Sequence, residues 1–263
     1  MAQSKFEYVK LFEEVDTALP NTYIVVRIDG RGFHQFSDQH CFSKPTDDNA
    51  ISLMNAAASE VMNVYRDIFI SYGQSDEYSF ALRRDSTLFK RRKSKIASTL
   101  VSLFTSVYVA KWPQFMSTPL MSFPSFDSRC VLYPTFKNLR DYFSWRQVDC
   151  HINNMYNYCF WKLVLDSKME GASAEKLLSP TDSAGKNELL FSRFNINYNT
   201  LPLLHRKGTV LFWDRCRLLV EGKKTPDGMD VYRERNLVQQ ANCDIIKDEF
   251  WIEKNFTIQI DFL

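Results

Sequence analysis

The chain has 263 residues, 45% hydrophobic and 14% aromatic, with only 8 glycines. It can bury a substantial core, as one large domain or two packed subdomains, and is too apolar for disorder beyond short loops. No run approaches the roughly 18 apolar residues of a membrane span, and a formal net charge of +2 is too small to imply a nucleic-acid partner by itself. Four dispersed histidines and six scattered cysteines offer neither zinc spacing nor a CxxC pair, which fits reduced thiols. MAQSKFEYVKLFEE at the start lacks both a signal core and an Arg-rich transit pattern, so a cytoplasmic location is expected, with nuclear or mitochondrial pools left open.

The first element is TYIVVRID (Thr22–Asp29), a β-branched run suited to a buried strand. A helix follows, capped by Thr46 or Asp47, with apolar residues at 50, 53, 54, 57, 58, 61, 62 and 65. DIFISYG (Asp67–Gly73) and EYSFAL (Glu77–Leu82) read as a hairpin closed by Gly73–Asp76. A long helix is expected from Leu88 to about Lys111 with a basic first turn, then a loop punctuated by Pro113, Pro119 and Pro124, then a fourth strand, Phe126–Tyr133. The order β-α-β-β-α-β makes the chain an α+β protein with a ferredoxin-like, polymerase-palm antiparallel sheet over residues 1–135. Residues 136–263 read as a mostly helical part carrying a β-hairpin. Its helices are expected at Asn138–Asp166, Ala174–Ser179, Asn187–Phe194 and Asp244–Asn255; the hairpin is GTVLFW and RCRLLV (Gly208–Val220) around Asp214, and Glu221–Gly228 is a loop.

YGQSDEYSF (Tyr72–Phe80) places two carboxylates in a turn between apolar strands. In a ferredoxin-like sheet the first strand lies antiparallel beside the third, so Asp29, closing one, meets Asp76 and Glu77, opening the other. An Asp-Glu turn is ordinarily a solvated turn. Crowded carboxylates at a strand end, however, repel unless a cation neutralises them, and hard oxygen ligands suit Mg²⁺ with substrate phosphates completing its shell. GRGFH (Gly30–His34) adds backbone amides able to approach an anion, Ser75 a hydroxyl, and Lys44 a point charge. The chemistry implied is two-metal phosphoryl or nucleotidyl transfer. FKRRKSK (Phe89–Lys95) packs five cations into seven residues, either a solvated helix face or a phosphate-binding cluster.

RIDGRGFHQF, YGQSDEYSF, SWRQVDCHINNMYN and KNELLFSRFNINYN, followed by RKGTV, resemble the tRNA-histidine guanylyltransferase family of eukaryotic type, from Ser4 to about Phe212. The resemblance implies addition of a guanosine to the 5′ end of tRNA-His with ATP and GTP as substrates, two Mg²⁺ as cofactors and a homotetrameric assembly. It implies that Asp29, the Gly30 carbonyl and Asp76 hold metal, and that Glu77 is catalytic or supporting. Asp29, Gly30, Arg31, Gly32, Phe33, His34, Lys44, Ser75 and Asp76 would contact GTP. Arg27, Arg92 and Lys95 would surround the activated 5′ phosphate, and His151, Asn153, Asn154, Lys186 and Lys207 would read the anticodon. Two other readings stay open: an anticodon-independent repair polymerase of 5′-truncated tRNAs, and a non-catalytic RNA-binding protein.

Overall fold

The computed structural model describes residues 4–224, 227, 229–254 and 256. The β-branched run forms β1 (Tyr23–Gly30), followed by a short helix, α1 (Phe33–Gln39), that the sequence did not announce; Gly32 enters it at φ 66°. The Asp47 carboxylate caps α2 (Asp48–Val64) by accepting from the Ala50 amide. Next come β2 (Ile68–Gln74) and β3 (Glu77–Leu82). The long basic helix is shorter at its start than expected: Leu88–Arg91 is a 3₁₀ turn in which Phe89, Lys90 and Arg91 all have positive φ, and α3 runs Lys93–Phe115, through Pro113. Beyond β4 (Phe126–Tyr133) lie α4 (Phe136–Leu165), α5 (Gly171–Leu178), α6 (Ser183–Phe194) and α7 (Leu203–Lys207).

The expected hairpin around Asp214 is absent. Asp214 lies inside one continuous strand, β5 (Thr209–Lys224), in register with Leu237 of β6 (Asp230–Ala241). Its carboxylate pairs with Lys254, 3.2 Å away, at the end of α8 (Asp248–Glu253). The chain reverses later, so Glu221–Lys224, expected in a loop, belong to β5; residues 225, 226 and 228 of that stretch, and Asn255 of the expected last helix, lie outside the described residues.

All six strands form one antiparallel sheet in the order β4-β1-β3-β2-β5-β6. The side chains of β1 and β3 alternate between two cores, as the period of a strand requires. Ile24, Val26, Ile28, Tyr78, Phe80 and Leu82 pack with α2 and α3. Tyr23, Val25 and Ala81, on the other face, pack with Leu139, Tyr142 and Phe143 of α4 and Trp251 of α8. The later half of α4 buries Met155, Cys159 and Leu163 in a third core with α5 and α6. At 30 residues, about 45 Å, α4 therefore starts on the sheet and continues beyond it.

Candidate active site

Pairing of β1 with β3 puts Asp29 opposite Glu77, and the Gly30 N–H donates to the Asp76 carbonyl at 3.0 Å. A Cβ on Gly30 would lie 2.6 Å from Asp76 Oδ2 and 2.4 Å from the Phe33 ring, so this close approach requires glycine. Ser75, at φ 50°, donates its hydroxyl to Asp76 Oδ1 at 3.0 Å. Burial raises the pKa of Asp76, against the Ser75 hydrogen bond, and the charge of Asp29 raises it further. Burial likewise raises Glu77, opposed by Arg146, while Asp29 again adds to the rise. Asp29 thus acts electrostatically on both acids.

Asp76 and Glu77 nevertheless look to opposite faces. Asp76 raises the pKa of Tyr108 on α3, after burial has done most; Glu77 Oε2 accepts from Arg146 Nη1 on α4 at 2.7 Å. Among the described residues no group of three or more His, Cys, Asp or Glu side chains forms a metal cage. Two hard carboxylates packed against a glycine backbone, whose mutual repulsion is uncompensated at Asp76, do fit a Mg²⁺ that takes its remaining ligands from phosphates.

Asp76 and Ser75 line a cleft of 590 Å³ that also takes His34, Lys44, Asn153 and Asn154. Lys44 pairs with Asp38 at 2.7 Å and lies 5.1 Å from the Trp161 ring; His34 is 85% exposed. Phe33 is buried against Phe36 and Phe126. The amides expected to cradle phosphate are fewer than the sequence suggested. Those of Gly30 and Arg31 already donate to Asp76 and Ser125 carbonyls, because the strand edge consumes them, which leaves the start of α1.

The remaining candidates fall elsewhere. Arg27 lies two residues before Asp29; its Nε is buried with no partner, and its charge acts on Glu77. Arg92 pairs with Asp16 at 3.5 Å, and Lys95 sits over Phe89. Within the basic cluster Arg91 is structural: its guanidinium is buried and donates to the carbonyls of Leu19, Thr22 and Ser86 at 2.6, 2.9 and 2.9 Å. His151 is half-buried edge-on to Tyr198, and burial, then Lys207 and Arg206, lower its pKa. Asn154 is buried, donating to the Tyr198 hydroxyl at 3.0 Å. Lys186 donates to the Thr181 carbonyl and Lys207 to Asp244, both at 2.6 Å.

Sequence reasoning missed the aromatic wall of the cleft, formed by Phe42, Tyr156, Phe160 and Trp161, and the buried Tyr108 hydroxyl, which has no partner. It also missed Arg146. A signal existed for the wall: 156, 160 and 161 recur at helical spacing just after HINN.

The sheet, its acidic edge and a polar, aromatic-walled cleft make this an α+β protein with a site of nucleotidyltransferase type. A model described as tRNAHis guanylyltransferase matches residues 6–134, and one described as Thg1 C terminal domain matches residues 137–247; the chain belongs to the tRNA-His guanylyltransferase family. It is 51% identical to a probable tRNA(His) guanylyltransferase of Drosophila melanogaster over 253 residues, covering 96% of this chain and 84% of that one. The crystal structure of the Saccharomyces cerevisiae tRNA(His) guanylyltransferase matches with TM-score 0.76 and 48% identity, over 79% of this chain and 93% of that one. A bacterial Thg1-like protein in complex with GTP shares the fold, at TM-score 0.64 and 19% identity, over 93% and 92% of the two chains.

Proposed function

We propose that this chain adds a guanosine to the 5′ end of tRNA-His in a polymerase-palm-like site at the β1–β3 edge. The carrying observation is the antiparallel register that sets Asp29 opposite Glu77 and next to Asp76, which lines a cleft of 590 Å³. ATP adenylylates the tRNA 5′-monophosphate with loss of pyrophosphate. The GTP 3′-hydroxyl then attacks the activated phosphate, expelling AMP, and the new 5′ end loses pyrophosphate.

Asp29, the Gly30 carbonyl and Asp76 would hold Mg²⁺, which when bound neutralises the triphosphate and lowers the pKa of the attacking hydroxyl. Ser75 fixes the Asp76 carboxylate through its hydroxyl. Lys44 brings a positive charge into the cleft, and the α1 amides after Gly32, beside Arg31 and His34, offer donors to phosphate oxygens. Tyr156, Phe160 and Trp161 offer faces on which a purine can stack. Arg27, Arg92 and Lys95 receive the tRNA 5′ phosphate, and the helical part with His151, Asn153, Asn154, Lys186 and Lys207 reads the anticodon.

The assembly is a homotetramer in this reading. Exposed apolar side chains along the N-terminal segment, Leu11, Phe12 and Val15 at 86, 80 and 93%, support cover by another copy. No described helix is long and apolar enough to cross a membrane; a cytoplasmic location is part of the proposal. The test is incubation with 5′-phosphorylated tRNA-His, ATP, labelled GTP and Mg²⁺. Label at the 5′ end, dependent on ATP, is expected. No transfer would end the reading, and equal labelling of tRNAs with exchanged anticodons would favour the repair polymerase.

A further inference from the structure

Arg146 is an unusual occupant of its position. It lies on the face of α4 packed against the sheet, and its side chain is only 6% exposed. Nη1 donates to Glu77 Oε2 at 2.7 Å, Nη2 donates to Asp149 Oδ2 at 2.9 Å, and the Trp145 ring lies 3.7 Å from the guanidinium. Asp149 Oδ2 also accepts from Asn153 Nδ2 at 3.3 Å, and Asn153 lines the cleft. Four side chains therefore form one chain of hydrogen bonds, Glu77–Arg146–Asp149–Asn153, from the carboxylate opposite Asp29 to the cleft wall. Glu77 Oε1 is left buried and without a partner. A buried ion pair is weak support for stability on its own, since desolvating the two charges offsets much of their attraction. An arginine whose two amino groups serve two different carboxylates fixes orientation instead.

We infer that Arg146 and Asp149 are positioning residues of the nucleotidyl-transfer site: they hold Glu77 beside Asp29 and tie its orientation to the wall of the cleft through Asn153. This rests on the function proposed above. Lysine keeps the charge of Arg146 but is a compact point donor that cannot reproduce the planar fork. Asp149→Asn keeps the shape of the second partner and weakens its hold on the guanidinium.

The test uses the full chain with 5′-phosphorylated tRNA-His, ATP, labelled GTP and Mg²⁺. Arg146→Lys is expected to lower kcat about a hundredfold while KM for GTP and affinity for tRNA stay within about threefold, and Asp149→Asn to lower kcat about tenfold. Because Arg146 acts through Glu77, the double variant Glu77→Gln/Arg146→Lys should be no more than about twofold slower than the slower single variant. Losses that multiply, or a rise in KM alone, overturn the assignment. If Arg146→Lys does not fold, Asp149→Asn decides: kcat equal to wild type overturns it. A readout independent of turnover is Trp145 emission, isolated by difference against Trp145→Phe. Adding MgGTP or tRNA should change it in the wild type and not in Asn153→Ala, and no change in the wild type removes the tie to the cleft. Wild-type protein that transfers no label would sink the guanylyltransferase reading instead. Coupling of the melting temperatures of Glu77→Gln and Arg146→Lys, with the Trp145 signal, would still decide the relay.

Discussion

Burial and the charge of Asp29 both raise the pKa of Asp76, so the folded chain binds that proton more tightly than the unfolded chain does. By linkage this group favours the folded state fully below its unfolded pKa, and the favour is lost as pH rises through the raised folded value. At neutral pH without metal, the ionised Asp76 therefore works against the fold. Asp76→Asn keeps the turn and the Ser75 hydrogen-bonding position but removes the charge. Melted in chelator at pH 7, the variant should have a higher Tm than the wild type. The gain should shrink as pH falls toward 4, since the wild-type carboxylate then takes up its own proton; a gain that grows on acidification would contradict the assignment. Guanosine transfer by the same variant should fall by about a thousandfold with tRNA affinity little changed. Gly30→Ala attacks the site from the backbone. Its methyl group would meet Phe33 and Asp76 Oδ2 at distances no packed structure tolerates, so both must move. A higher Mg²⁺ concentration for half-maximal rate and a loss of transfer of about a hundredfold are expected, the scale of a small displacement at a reacting centre. Wild-type kinetics would show that Asp76 is not held there.

At the scale of elements, a run of like residues can hide unlike tasks. Lys90, Arg91, Arg92, Lys93 and Lys95 are indistinguishable as a pattern of charge. The structure assigns Arg91 to the junction of the segment preceding β1 with the loop following β3, where it satisfies carbonyls of Leu19, Thr22 and Ser86, and leaves Arg92 and Lys95 exposed. Arg91→Ala should cost about 2–3 kcal/mol by stranding those carbonyls, read as a fall in urea midpoint, whereas Lys95→Ala should leave the midpoint unchanged and weaken only catalysis on 5′-phosphorylated tRNA. Equal midpoints for the two variants would refute the distinction. The same contrast explains what was legible. β1 to β4 are buried on both faces or alternate cleanly, so their residues announce them, and the acidic edge follows from strand order alone. β6 reads DVYRERNLVQQA and is mostly exposed on a two-stranded ribbon, so no face is apolar and periodicity carries no strand signal. The partner of β5 is thus silent in the sequence, and the two apolar halves of β5 read as a hairpin around Asp214 although they form one strand. Along α4 apolar and aromatic residues surround the helix, because its first half packs on the sheet and its second on α5 and α6. Tertiary packing alone decides where it clears the sheet, and hence that Tyr156 and Trp161 wall the cleft while Arg146 reaches Glu77.

Over the whole molecule, the placement of Asn153 and Asn154 sets a constraint. They line the same cleft as Ser75 and Asp76, within one chain of about 18 Å radius of gyration. The two ends of a tRNA lie about 70 Å apart by A-form dimensions, so one cleft cannot engage the anticodon and the 5′ end together. If the HINN helix reads the anticodon, one subunit must read while another performs the transfer. Subunit mixing tests this directly. Asp76→Asn disables transfer and leaves the half-buried His151 untouched; His151→Ala disables reading and leaves the acidic edge intact. Each variant alone should label tRNA-His poorly. Dissociated and reassembled together, they form oligomers in which an intact reader faces an intact catalytic edge, and random pairing restores about a quarter of the wild-type rate. The restored activity should also regain its preference for the histidine anticodon. Mixtures no more active than the sum of their parts would mean that one chain supplies both functions to each tRNA, and the anticodon assignment of the HINN helix would then fall before the metal site did.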